Sequence, residues 1–455
     1  MLNKNKKIKE DIIMKKATKL LSFILAGIII FSISSFAESG YAHTEEDLLL
    51  FSPKWEQIQN DDTVISLTPG KNQDEINFCW LSETQNEKFF ISENENMSEK
   101  KELDVNQVSA FEGLISNNVT ASGLEENKTY FYTYTENGVM SKPEKIKIQP
   151  DENFTVLYVS DAQIGRSGDE TLPEVLIRDT CGWNFTVNKM MEKYPDAAFA
   201  ISGGDQFQSP DSLTQMKAYL SPEALRSLPV ANTIGNHDSD STLYGDIFNN
   251  PNEVKELFKS EAGTGYFYTY GDALFITINS ENAFPSDIAK VIRTAVKAHP
   301  DKKWRIVTMH RNPYSASLDD KEFSEERVLF SSIYDCYDID LVLSGHDHLY
   351  SRTKIMYGGK EAEEGTVYLQ TSSASGSNYD PLPEETASFI VSAFDTRVPT
   401  YTALTFTEDT IEISTYRTDT NESIDTFTVS DNDSDSVANF FTVIFSIFRI
   451  LFSMI

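Results

Sequence analysis

Leu341-Val-Leu-Ser-Gly-His-Asp-His348 passes from apolar residues to potential ligands within one short stretch. Its apolar half reads as a buried strand. Ser344-Gly345 turns the chain at the strand end. His346 and His348 follow two apart, and in extended backbone residues i and i+2 point to the same side. Two imidazoles can therefore face one point in space, as ligands of a metal centre must.

The same plan recurs upstream. Phe154-Thr-Val-Leu-Tyr-Val159 runs into Ser160-Asp161-Ala-Gln163, and Ala197–Ile201 runs into Gly203-Gly-Asp205. Leu228–Ile234 leads to Gly235-Asn-His-Asp238, and Trp304–Met309 ends at His310. Between them, Tyr266–Ile278 reads as a hairpin around Tyr270-Gly-Asp272. A helix follows, with Ser286 as its expected cap and Ile288, Val291, Ile292, Ala295 and Val296 on one face. Tyr401–Phe406, Thr410–Tyr416 and Asp425–Val429 read as closing antiparallel strands, and residues 370–400 as irregular. The stretch from Phe154 to Val429 is thus α/β.

The chain has 455 residues, enough for about two or three domains. Its net charge of −31 repels polyanions and leaves no nucleic-acid footprint. A phosphate-bearing substrate must be attracted locally, against the global field. Cys79, Cys181 and Cys336 are widely spaced, which argues against a disulfide scaffold and against a thiolate metal site.

Residues 1–37 read as a signal peptide: a charged segment around Met14–Lys19, an apolar run from Leu20 to Ile33, and small residues at Ser35-Phe-Ala37. The body is therefore expected to be exported by a bacterial-type route and to be secreted or held at the cell surface. Residues 38–60 read as a linker. Residues 61–150 alternate apolar and polar positions in short runs, as in Glu75–Trp80 and Asn127–Tyr134, and predict a small β-sandwich.

The chemistry lies in residues 151–430. A lone histidine at a strand end is ordinarily structural. Four of them, His237, His310, His346 and His348, joined by Asp161, Asp205 and Asn236, are not. Oxygen and imidazole donors without sulfur suit Fe, Zn, Mn or Co. The set exceeds one tetrahedral site and fits two metals bridged by one carboxylate.

Asp161-Ala-Gln163, Gly204-Asp205, Gly235-Asn-His-Asp238, His310 and Gly345-His-Asp-His348, in this order, resemble the calcineurin-like metallophosphoesterases. The sandwich upstream makes the likeness closest to the purple acid phosphatase branch. Within that sandwich the Gly123-Leu124…Thr129-Tyr130…Tyr132 spacing and Trp80 resemble fibronectin type III modules. The resemblance implies two mixed β-sheets packed together and flanked by helices, preceded by the small all-β module. It implies that Asp205 bridges two divalent or trivalent ions (Fe, Zn or Mn). Asp161, His348 and Gln163 would hold the first ion; Asn236, His310 and His346 would hold the second. His237 would protonate the leaving group. Arg311, next to a ligand, is the candidate substrate contact, ahead of Arg178. Asp238 is expected to support the ligands from behind or simply to cap a turn, with the turn favoured.

Two positions depart from the resembled pattern. Purple acid phosphatases carry an iron-binding tyrosine three residues after the bridging aspartate, where this chain has Gln208. Other members place histidine two residues after the first aspartate, where this chain has Gln163. The ferric assignment is therefore not carried over.

The expected function is an exported dinuclear phosphoester hydrolase that acts on small phosphomonoesters by attack of a metal-bound hydroxide. The alternatives are a phosphodiesterase or nucleotide-cleaving esterase of the same fold, and a surface-attached binding protein with a degenerate site. After an acidic linker, 431–436, the apolar tail 437–455 places Asn439, Thr442, Ser446, Arg449 and Ser453 on one helical stripe. It is expected to associate with a membrane interface or with a second copy.

Overall fold

The computed structural model describes residues 40–61, 64–281, 284–316 and 325–430. The segments expected to form a signal peptide, an acidic linker and a C-terminal helix lie outside these residues. No helix among the described residues is long and apolar enough to cross a membrane.

Two mixed sheets face each other. In the first, the strands Val230–Asn232, Phe199–Ser202 and Thr155–Val159 are parallel neighbours, and Thr400–Phe406, Thr410–Arg417 and Ser423–Ser430 continue it antiparallel. In the second, Ala273–Ile278, Trp304–Met309, Leu341–Ser344 and Val367–Gln370 run parallel, edged by Tyr266–Tyr270 on one side and by Tyr350–Thr353 and Ile390–Phe394 on the other.

Strand alternation sorts side chains between layers. Val156, Tyr158, Phe199, Ile306, Leu341 and Leu343 fill the space between the sheets. Leu157, Val159 and Ala200 point outward and pack under the helix Pro173–Lys193. Val307, Met309 and Val342 point outward on the other side, under the helices Pro285–Ala298 and Glu325–Cys336. With both faces covered, these strands read as nearly continuous apolar runs.

The N-terminal region is all-β. A four-stranded antiparallel sheet containing Glu75–Ser82 packs on a second antiparallel sheet containing Thr129–Glu136. Phe78, Trp80, Phe89, Tyr132 and Tyr134 form its aromatic core, and the Trp80 indole donates to the Thr135 carbonyl at 2.9 Å. The region is tied to the α/β body by polar contacts. Thr68 Oγ1 and Asn77 Nδ2 both donate to the Asn249 carbonyl, at 2.8 and 2.9 Å.

Three expectations need correction. Ser286 does not cap its helix: Phe284 holds the cap position, Pro285 opens the first turn, and Ser286 lies inside it. Proline suits that position because its φ is preset and its missing N–H would have no partner there. The interval 370–400 is not wholly irregular, since Ile390–Phe394 adds an edge strand. The interval 38–60 is not an extended linker in its described part. Its helices Glu45–Phe51 and Trp55–Gln59 insert Leu48, Phe51 and Trp55 into the core around Pro173–Lys193. Thr44 starts the first of them with a reciprocal capping box to Asp47.

These helices behave as part of the body. Trp55→Ala is expected to destabilise the protein by about 3–5 kcal/mol, the usual cost of emptying a large buried site. Leu50→Ala, at a side chain 70% exposed, should cost under about 0.5 kcal/mol. Urea unfolding of both variants tests this; equal small losses would show that the helices do not contribute to the core.

Candidate metal centre

The functional side chains sit just past the C-terminal ends of five parallel strands. Thr155–Val159 delivers Asp161, and Phe199–Ser202 delivers Asp205. Val230–Asn232 leads to Asn236 and His237, Trp304–Met309 to His310, and Leu341–Ser344 to His346 and His348. The two sheets place these ends together at one rim, where open α/β sheets bind ligands.

Asp161, Asp205 and His348, all buried, bring one ligand atom each within 4.8 Å of one another. His348 Nε2 lies 3.4 Å from Asp161 Oδ1, and His310 Nε2 lies 3.3 Å from Asp205 Oδ2. His310 Nε2 is also 3.1 Å from Asn236 Oδ1. The other nitrogen, His310 Nδ1, donates to the Gly203 carbonyl at 2.9 Å. That bond fixes the tautomer and turns Nε2 toward the carboxylate, as for metal-binding histidines.

The backbone is pinned for the same purpose. Asp161 N donates to the Gly204 carbonyl at 3.1 Å, and Gln163 N to the Asp205 carbonyl at 2.9 Å. His346 N reaches Asp161 Oδ2 at 3.1 Å, and His237 N reaches Asp205 Oδ1 at 2.8 Å. A side chain at Gly235 would collide with the Asp205 carboxylate, and one at Gly345 with that of Asp161. The glycines of both sequence motifs are thus required by close approach.

Burial alone would raise Asp161 and Asp205. The imidazoles of His348 and His310 outweigh it and hold both carboxyls below the usual range. Burial conversely disfavours a charged His310, but Asp205 and Asp161 outweigh it and raise that imidazole to about 10. His348 is raised in the same way, against its own burial, by Asp161.

His346 lies with its ring centre 5.1 Å from that of His310, and its Nε2 is 2.9 Å from an Arg311 guanidinium nitrogen. Arg311 Nε donates to both Glu281 oxygens, at 3.0 and 3.1 Å. His237 is half-buried, and its Nδ1 donates to the Gln208 carbonyl at 2.9 Å, leaving Nε2 free of that bond. Arg178 is buried in the helix Pro173–Lys193.

The residues fit a metal centre on an observation of the structure itself. Gln163 Oε1 is buried without a hydrogen-bond partner. The carboxylate, imidazole and amide donors also match hard or borderline divalent cations.

Asp238 both caps a turn and supports the ligands from behind: its own N–H closes a turn on the Gly235 carbonyl, its carboxylate accepts back from the Gly235 N–H, and it also holds the loop of Asp205. It is fully buried, and its carboxylate accepts from the backbone N–H of Asp205, Gln206 and Gly235 at 2.8, 3.1 and 2.8 Å. Burial, with the charge of Asp205 next, pushes its carboxyl up to about 8. Ser373 was not legible in the sequence: its hydroxyl donates to the Asp161 carbonyl at 2.9 Å, from an interval with no periodic pattern. Glu281, which orients Arg311, likewise carries no motif. Asp238 had a signal, since it follows Asn236-His237 directly.

Asp238→Asn should replace an acceptor by an amide donor facing backbone N–H groups. The ligand loops of Asp205 and Asn236 would shift, and metal affinity should fall about 10–100-fold, the usual loss on removing a group that orients ligands. Calorimetric metal titration measures it; unchanged affinity would mean that the loops hold themselves.

Residues 154–350 match the model of the Calcineurin-like phosphoesterase family. The fold is similar to that of purple acid phosphatase PPD1 from yellow lupin (Lupinus luteus) seeds, with a TM-score of 0.67 at 17% identity, covering 82% of this chain and 75% of that one. It is also similar to the structure of PhoD, with a TM-score of 0.52 at 12% identity, covering 86% and 98%. No curated protein matches the chain in sequence. The matched stretch is a calcineurin-like metallophosphoesterase domain, and it makes the protein a metal-dependent phosphoesterase.

Proposed function

We propose that this phosphoesterase is exported and hydrolyses phosphomonoesters at a dinuclear centre. The observation that carries the reading is the convergence of Asp161, Asp205 and His348 within 4.8 Å, beside the Asn236–His310 pair. Asp161, Gln163, Asp205 and His348 would hold one ion; Asp205, Asn236, His310 and His346 would hold the other. Bound there, two cations supply Lewis acidity toward a phosphoryl group and acidify the attacking water. The protein ligands of the two sites carry two negative charges, on Asp161 and the shared Asp205, and no phenolate. That set favours two divalent ions.

The chain's own groups do the rest. His237 keeps a proton on Nδ1 through the Gln208 carbonyl, so donation to a leaving oxygen falls to Nε2 of the imidazolium. Arg311, fixed by Glu281 beside His346, holds guanidinium N–H groups at the rim as candidate donors to phosphoryl oxygens. The N-terminal all-β region, with Trp80 in its core, supports the fibronectin-like reading of residues 61–150. Export rests on the sequence of residues 1–37.

Aryl and alkyl phosphomonoesters and their diesters, assayed with added Mn²⁺, Zn²⁺ or Fe²⁺, test the assignment. Turnover restricted to diesters would overturn the monoester reading. Asp205→Asn should lower metal content and turnover together; full turnover with two bound ions would exclude Asp205 as the bridge.

His237→Ala should leave metal content near normal and cut turnover by about 10²–10⁴, the usual contribution of a general acid. The loss should be smaller for aryl esters, whose leaving groups need no proton. Equal losses for aryl and alkyl substrates would contradict the acid role.

A further inference from the structure

Gln163 and Gln208 meet side chain to side chain in the centre. Gln163 Nε2 donates to Gln208 Oε1 at 3.2 Å. This occupies the donor end of the Gln163 amide and leaves its acceptor end, Oε1, buried with no hydrogen-bond partner. A buried unpaired acceptor is costly, and its persistence calls for a ligand. The nearest chemistry is clear from the backbone. Gln163 lies two residues past Asp161, and its own N–H is bonded to the Asp205 carbonyl at 2.9 Å. Its φ of +35° is a further sign that this side chain is held where the fold wants it.

Gln208 is itself anchored. Its N–H donates to the Ile164 carbonyl at 3.0 Å, and its carbonyl accepts from His237 Nδ1 at 2.9 Å. One residue therefore touches the Gln163 amide, the loop that carries it and the imidazole across the site. An amide can flip by half a turn about its last bond at little cost. With no acceptor at residue 208, Gln163 could present nitrogen instead of oxygen to the Asp161–Asp205–His348 cluster.

We propose that Gln208 is a positioning residue: its side-chain carbonyl fixes the flip state of Gln163, so that Gln163 Oε1 faces the cation held by Asp161, Asp205 and His348. The proposal rests on the dinuclear reading above and adds to it a group that is not a ligand. Gln208 binds no metal; it decides which end of another amide does.

The test is calorimetric titration of the full chain, stripped with a chelator, using Co²⁺ alone. Gln208→Met keeps the side-chain length but removes the acceptor, whereas Gln208→Glu keeps an acceptor oxygen. Gln208→Met should weaken the tighter Co²⁺ site about 10–100-fold, with Gln208→Glu within about threefold of wild type. Gln163→Ala should lose as much as Gln208→Met, and the double variant no more than either, because both remove one interaction. If Gln208→Met does not give folded protein by circular dichroism, Gln208→Asn, too short to reach, serves in its place. Wild-type affinity in the Met or Asn variant, or losses that multiply in the double variant, overturns the proposal. Fewer than two Co²⁺ ions on the wild-type chain would contradict the dinuclear reading instead.

Discussion

Two buried carboxylates close together are the constraint on which this molecule depends. Asp161 and Asp205 are both almost fully excluded from water. Like charges in such a place repel strongly, and each pays heavily for lost solvation. His310 and His348 stand where they offset part of that cost, and a third carboxylate, Asp238, is held behind Asp205 by three backbone N–H groups. Cations held by Asp161 and Asp205 would neutralise them further.

Holding these groups costs the backbone. Asp161, Gln163, Asp205, His346 and His348 all take positive φ, a region that favours glycine. Each such residue stores roughly 1–3 kcal/mol. The strain is borne because the strand ends are rigid: Val156 and Tyr158 pack between the sheets while Leu157 and Val159 pack under a helix. The Tyr158 hydroxyl donates to the Ser344 carbonyl and so ties the strand that delivers Asp161 to the one that delivers His346 and His348. Distances between ligands on different sheets are thereby set by the core.

The sequence revealed much of this because the strands are buried on both faces. Trp304–Met309 and the hairpin around Gly271 are found where the apolar runs placed them. The motif residues stand at strand ends, as the Gly-His-Asp-His pattern required. What was hidden was hidden by chemistry without periodicity. The helix Pro173–Lys193 buries Arg178, Asp179 and Thr180 beside its apolar residues, which blurs its amphipathic stripe. Asp179 is buried there to accept from the backbone of Gly165 and Ser167 and from the Tyr41 hydroxyl. Ser373 and Glu281 act through hydrogen bonds from distant parts of the chain. No local pattern announces such contacts.

On the proposed reading Asp205 would stand between two metal ions, with Asp161 and His348 on one side and Asn236, His310 and His346 on the other. Anomalous diffraction from crystals grown with Mn²⁺ or Zn²⁺ tests it most directly. The account predicts two anomalous peaks about 3.5–4 Å apart, the separation of dinuclear hydrolytic centres, with an Asp205 oxygen between them. One peak, or a pair that Asp205 does not touch, would contradict it.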